Sequence, residues 1–184
     1  MATNIKIDRS SLFDGDAIKQ GGIGNYILLI NKEDLDAGAL TFDGTTNEIE
    51  TITLDTGKYA YKFESSKGSA QIIMTSPLRP VSAIDGFDHQ GDVRIVEAAQ
   101  EALDNIKRMR FQKVCAIIPL ADGRSMLYGQ KVGMRISDFQ MSPGDADTGG
   151  SFQIVLKTPE NDPPEIDPPH FIESTFDITT LIGS

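Results

Sequence analysis

The chain has 184 residues, 39% of them hydrophobic, with a formal net charge of −10 and no tryptophan. That length fits one domain, or one domain with arms, around a real core, and the apolar content excludes bulk disorder. The acidic balance excludes a protein that coats nucleic acid, which needs clustered Lys and Arg against phosphates. It suits a channel through which nucleic acid slides without sticking.

The single cysteine excludes an internal disulfide framework and a Cys-based zinc site. No run of eighteen apolar residues occurs, so no membrane span is expected. Met1–Ser11 lacks the apolar core of a signal peptide, which implies folding in the cytoplasm.

Ile5 and Ile7 alternate with Lys6 and Asp8 in what is a short strand at best, and Asp14-Gly15-Asp16 and Gly21-Gly22 read as turns. Ile23–Ile30 predicts a strand ended by Asn31–Asp34. Glu48–Asp55 alternates with one slip near Glu50, the mark of a bulge. After a turn at Thr56-Gly57, Tyr59, Tyr61 and Phe63 alternate with Lys58, Ala60 and Lys62, as in a half-buried strand. Ala70–Thr75 predicts a further strand, ended by Pro77 and Pro80, and Val81–Gly91 a connection.

One helix is predicted over 92–110. Asp92 is its expected N-cap, and Ile95, Val96, Ala99, Leu103 and Ile106 recur at three- and four-residue spacing. Glu97 and Glu101 near its start, and Lys107, Arg108 and Arg110 at its end, complement the helix dipole.

Residues 113–157 read as a four-stranded antiparallel meander. Val114–Pro119 is apolar on both faces, and Asp122-Gly123 signals a tight hairpin. Met126–Tyr128, Val132–Ile136 and Ser151–Lys157 follow as the other strands. Thr158–Pro169 then carries five prolines and the acids Glu160, Asp162, Glu165 and Asp167, so an extended segment is expected, with Phe171–Ile182 as a last strand. The domain is therefore placed at 1–157 and the arm at 158–184.

Candidate chemistry is sparse. Gly21-Gly22-Ile23-Gly24 lacks the Lys-Ser/Thr of a phosphate loop, and Asp145-x-Asp147-x-Gly149 lacks the distal ligand of a calcium loop. Asp88-His89 would serve as a base only if a nucleophile met it in space, and Cys115 lies in an apolar strand. No catalytic residue, metal site or cofactor is expected. Lys107, Arg108, Arg110 and Lys113 are the local exception to the acidic balance. They are either a solvated helix end or a docking patch for Glu160–Asp167 of a neighbouring copy.

The meander presents, in order, a strand, Asp122-Gly123, Leu127-Tyr128-Gly129, Val132-Gly133-Met134-Arg135, Asp147-Thr148-Gly149-Gly150 and Phe152–Leu156. In that order it resembles the second half of tail-tube-like structural proteins of tailed bacteriophages, especially those of Bacteroidetes phages. Pro159 and Glu160 match the family's ending of that half. Gly57–Met74, with alternating aromatics and then Ser65–Ala70, resembles the first half, and the intervening helix fits; the Pro-rich arm has no counterpart.

The resemblance implies an α+β, mainly β fold: an antiparallel β-sandwich or barrel with one flanking helix, here with an extended C-terminal arm. It implies a non-enzymatic virion protein, typically six copies closing into a ring whose inner sheets form one barrel, with rings that stack. Partners would be copies of the chain, other phage tail proteins, and DNA as non-specific cargo in the lumen. Tube, neck, terminator and baseplate remain open at this level. A ligand-binding β-sandwich such as a carbohydrate-binding module is the alternative, disfavoured by the lack of tryptophan. A small hydrolase built on Asp88 and His89 is a third.

Overall fold

Val114–Pro119 is buried on both faces, and the rest of the molecule is arranged on either side of it. The computed structural model describes residues 26–35, 38–64, 72–79, 86–95, 100–120, 123–142 and 151–183. The glycine run at 21–24, Asp14, Asp16 and the 145–149 loop lie outside the described residues.

The strands are β1 (Tyr26–Asn31), β2 (Leu40–Phe42), β3 (Ile49–Ile52), β4 (Tyr61–Glu64), β5 (Ile72–Thr75), β6 (Leu78–Arg79), β7 (Gly86–Phe87) and β8 (Gln90–Ile95). After helix α1 (Gln100–Met109) come β9 (Val114–Pro119), β10 (Ser125–Tyr128), β11 (Arg135–Ser142), β12 (Ser151–Lys157) and β13 (His170–Ile172). A large sheet runs β2-β3-β13-β10-β9-β1-β4, a smaller one runs β11-β12-β8-β5, and β6 and β7 form a separate pair. The fold is thus mainly β with one described helix. The large sheet is mixed, because β13 pairs with β3 in parallel, and it curls into a half-barrel.

Side-chain alternation explains the two cores. Ile27 and Leu29 of β1 with Val114, Ala116 and Ile118 of β9 face Val93, Phe152, Ile154 and Leu156 of the small sheet, together with Ile106 and Met109 of α1. Leu28, Ile30, Cys115, Ile117 and Leu127 point the other way. They meet Ile49 and Ile52 from the curled edge and Ile178 and Leu181 from a short C-terminal 3₁₀ turn. A strand that fills a core on each side must be apolar throughout, which is the pattern of Val114–Ile118.

Two local expectations match what is seen. The β9–β10 hairpin closes beside Gly123, whose φ is +86°. The β2–β3 register steps from Thr41↔Thr51 to Phe42↔Ile49, which leaves Glu50 as the extra residue of a bulge.

Four expectations are corrected. Asp92 is not a helix cap: it lies within β8, opposite Val155, and α1 begins at Gln100. The 81–91 connection ends in β7 and the start of β8. The meander is divided, because β10 pairs with β9 and β13 whereas β11 pairs with β12 in the other sheet. The C-terminal strand is three residues long, not twelve, and it lies inside the large sheet between β3 and β10.

Candidate functional site

The segment 158–169 is not extended throughout, because it turns at Pro159–Asp162 where the Asp162 N–H donates to the Pro159 carbonyl at 3.1 Å, and it lies along its own domain. At its start the Thr158 N–H donates to the His89 carbonyl at 2.9 Å, and the His89 N–H donates to Thr158 Oγ1 at 3.0 Å. Arg79 Nη1 donates to the Glu160 carbonyl at 3.1 Å, and Lys113 Nζ stands 2.8 Å from Asp162 Oδ2. The Phe87 N–H donates to the Glu165 carbonyl at 2.7 Å, and the Glu165 N–H returns to the Phe87 carbonyl at 3.0 Å.

Glu165 is fully buried. Its Oε2 accepts the Lys131 N–H at 3.0 Å, and its Oε1 accepts the Val132 and Gly133 N–H groups at 2.8 and 3.1 Å. Three successive amides thus converge on one carboxylate as a concave anion cradle, and the chain leaves it through Gly133, whose φ is +81°. Removing a carboxylate from water costs several kcal/mol, roughly what three charge-assisted hydrogen bonds offset.

His89 is the neighbouring support. Its Nδ1 accepts the Gly129 N–H at 2.8 Å, so the proton of the neutral ring belongs on Nε2. Burial pushes its pKa down to about 4, against the opposing influence of the Asp167 backbone and the Asp88 carboxylate. Arg79 Nε pairs with Asp88 Oδ1 at 2.7 Å. Cys115 Sγ donates to the Gly129 carbonyl, and burial pushes the thiol up to about 12. His89 and Cys115, both buried, hold the Gly129 backbone from its N–H and its carbonyl and so position the 129–133 loop. Among the described residues, no three His, Cys, Asp or Glu side chains stand together as a metal site.

These contacts decide where the expected inter-subunit residues lie. Glu165 is buried, and its carboxylate accepts three amides of its own chain. Asp162 is tied to Lys113, and Asp167 Oδ2 lies 3.5 Å from Gln130 Nε2. Glu160 pairs with Lys157 at 2.9 Å but keeps an exposed side chain. Lys107, Arg108 and Arg110 are exposed on the end of α1, and Arg110 lies over the Phe111 ring. Among the described residues the arm's acids pair with Lys113 and Lys157, and no ion pair joins them to these three.

Sequence reasoning missed two surfaces. One is the outer face of the small sheet, where Asp92, Arg94, Gln153, Val155 and Lys157 alternate with the buried row. Gln153 Nε2 donates to both Asp92 oxygens at 2.8 and 2.9 Å. The other is an apolar groove of about 300 Å³ between α1 and β11, lined by Leu103, Ile106, Ile136 and Phe139 and rimmed by Lys107 and Arg110. Alternation in 151–157 and the apolar stripe of α1 were the available signals, but the pairing that joins them is long-range.

No protein-family model, curated protein or solved structure matches the chain.

Proposed function

We propose that the chain is a non-enzymatic virion structural protein of a tailed phage. It is a ring-forming tail-tube subunit, or a related neck, terminator or baseplate ring, that surrounds a channel for DNA. The observation that carries this reading is the small sheet. One face rests on the core, the other is mostly polar with Ile73 and Val155 upon it, and both borders, β11 and β5, are unpaired among the described residues.

Open strand borders invite indiscriminate pairing, and a closed ring of copies removes them. In this reading the two sheets are the layers of a tail-tube-type sandwich and the small sheet faces the lumen. Arg94, Arg135 and Lys157 stand there with Asp92 and Asp138 among them, and Lys157 is paired with Glu160, so acids interrupt the basic positions and DNA passes without a continuous basic stripe to hold its phosphates. Negative-stain microscopy and light scattering of the purified chain test it. Rings or tubes of uniform diameter are expected, and a strict monomer at every concentration overturns it.

One observation favours a second reading, a glycan-binding module. A groove of about 390 Å³ is lined by Asn31, Tyr61, Asn105, Arg108, Phe111 and Gln112, joining exposed rings to amides that suit sugar hydroxyls. Saturable binding on a glycan array, lost in Phe111→Ala, would move the assignment there.

A further inference from the structure

We infer that the groove between α1 and β11 is the seat for a corner of a second copy, the corner formed by β6 and the acidic arm. The inference rests on the ring-forming reading and names the contact that closes it.

Leu78 of β6 pairs with Phe87 of β7, and Phe87 in turn bridges to Glu165 of the arm, so β6, β7 and the arm lie side by side. Two large apolar side chains are exposed on it, Leu78 at 69% on β6 and Ile166 at 67% on the arm. Glu160 is held beside Arg79 by its carbonyl, and its carboxylate, paired with Lys157, stays exposed; Asp167, near Gln130, follows Ile166 directly. The corner is therefore apolar with an acidic fringe. Its other two acids, Asp162 and Glu165, serve to fix its shape.

The groove is the complement. Leu103, Ile106, Ile136 and Phe139 form an apolar floor, and Lys107 and Arg110 form a cationic rim. Phe139 is 39% exposed although it stacks on Phe152 and shares the face of Ile154, so it belongs to the core side of a sheet that runs out of cover at its border. Among the described residues no ion pair joins Lys107 or Arg110 to an arm acid of the same chain. Apolar floor against apolar projection, with opposite charges at the margins, is the arrangement of a specific interface with a dry centre and a polar rim. Because the two surfaces differ, the contact is head-to-tail, and its repetition closes a ring or extends a stack.

The test uses the full-length chain and three variants at exposed positions: Ile166→Asp, the pair Lys107→Glu with Arg110→Glu, and Leu78→Asp. Circular dichroism and the urea midpoint confirm that each still folds. Light scattering across a concentration series is expected to show at least about a ten-fold loss of association for each. Mixed Ile166→Cys and Phe139→Cys chains are expected to form a disulfide between copies under mild oxidation, Cys115 being sealed in the core. A wild-type chain that assembles while the three variants assemble equally well, with no cross-copy disulfide, overturns this contact and leaves the ring standing. A wild-type chain that never assembles overturns both.

Discussion

Glu165 and Gly133 are thirty-two residues apart in sequence and joined at 3.1 Å, the Gly133 N–H donating to the Glu165 carboxylate. With the Lys131 and Val132 amides, this makes one buried anion the anchor of the Pro-rich segment. Glu165→Ala leaves three donors without a partner, and hydrogen bonds to a charged group are worth about 1.5–3 kcal/mol each. A loss of at least about 3 kcal/mol is therefore expected in urea unfolding, with Glu165→Gln falling between Ala and wild type. An Ala variant as stable as the parent would show that the cradle holds nothing.

Gly133 and Gly123 separate backbone strain from crowding. Both sit at positive φ, so an alanine costs about 1–2 kcal/mol at either place from the left-handed conformation alone. At Gly123 a Cβ would meet nothing within 4 Å, whereas at Gly133 it would lie 2.9 Å from Lys113 Cβ. Gly133→Ala is expected to lose distinctly more stability than Gly123→Ala. It is also expected to speed proteolysis within 158–169, because it moves an amide that holds Glu165. Equal losses with equal proteolysis would remove the crowding argument.

Hairpin, bulge and helix were legible because each is written locally: Asp122-Gly123, the slip at Glu50, and the stripe through Leu103 and Ile106. The division of the meander was not. Gly129 and Gly133 look like one more turn between paired strands, when in fact they carry the chain from one sheet to the other. Glu165 reads in sequence as one acid of a segment that docks on a neighbouring copy, and its cradle consists of backbone amides that no residue type announces. The second core was hidden for the same reason, since it depends on β13 inserting beside β3 from the far end of the chain.

His89 gives the fold a pH dependence of known sign. Its folded pKa is about 4 against an unfolded value of 6.5, so between those values the unfolded chain binds the extra proton. Stability from this group is complete above about pH 6.5 and falls as the pH drops toward 4, by about 3 kcal/mol in all. Asp43, Asp162 and Asp177, held below the usual carboxylate range by their hydrogen bonds, act at lower pH. The urea midpoint is expected to fall from pH 7 to 4.5 in the parent and to fall less in His89→Gln. A slope unchanged by that substitution would assign the effect elsewhere.

Asp162 and Lys113 supply the contrast. Their side chains are about 30% exposed, and pairs open to water contribute about 0–1 kcal/mol. Lys113→Ala is expected to shift the urea midpoint slightly and to leave proteolysis of 158–169 unchanged, in a parallel assay with Glu165→Ala. If Lys113→Ala released the segment as readily as Glu165→Ala does, charge attraction and not the amide cradle would be what fastens it.

The residues beyond Pro169 are structural and not a detachable tail. β13 lies between β3 and β10, with Ile172 opposite Ser125 and beside Ile49, and Ile178 and Leu181 seal the second core. Three buried aliphatic side chains at roughly 1.5–3 kcal/mol each amount to about 5–9 kcal/mol, comparable to the whole stability of an ordinary domain at about 5–15 kcal/mol. Their removal also strips Ile49, Ile117 and Leu127 of cover and leaves β3 and β10 with an unpaired border each. A chain ending at Pro169 is therefore expected to be insoluble or unfolded when expressed. A chain ending at Gly183, past Leu181, should match the parent in yield and urea midpoint. A soluble, cooperatively unfolding 1–169 fragment would show that the large sheet closes without its last strand.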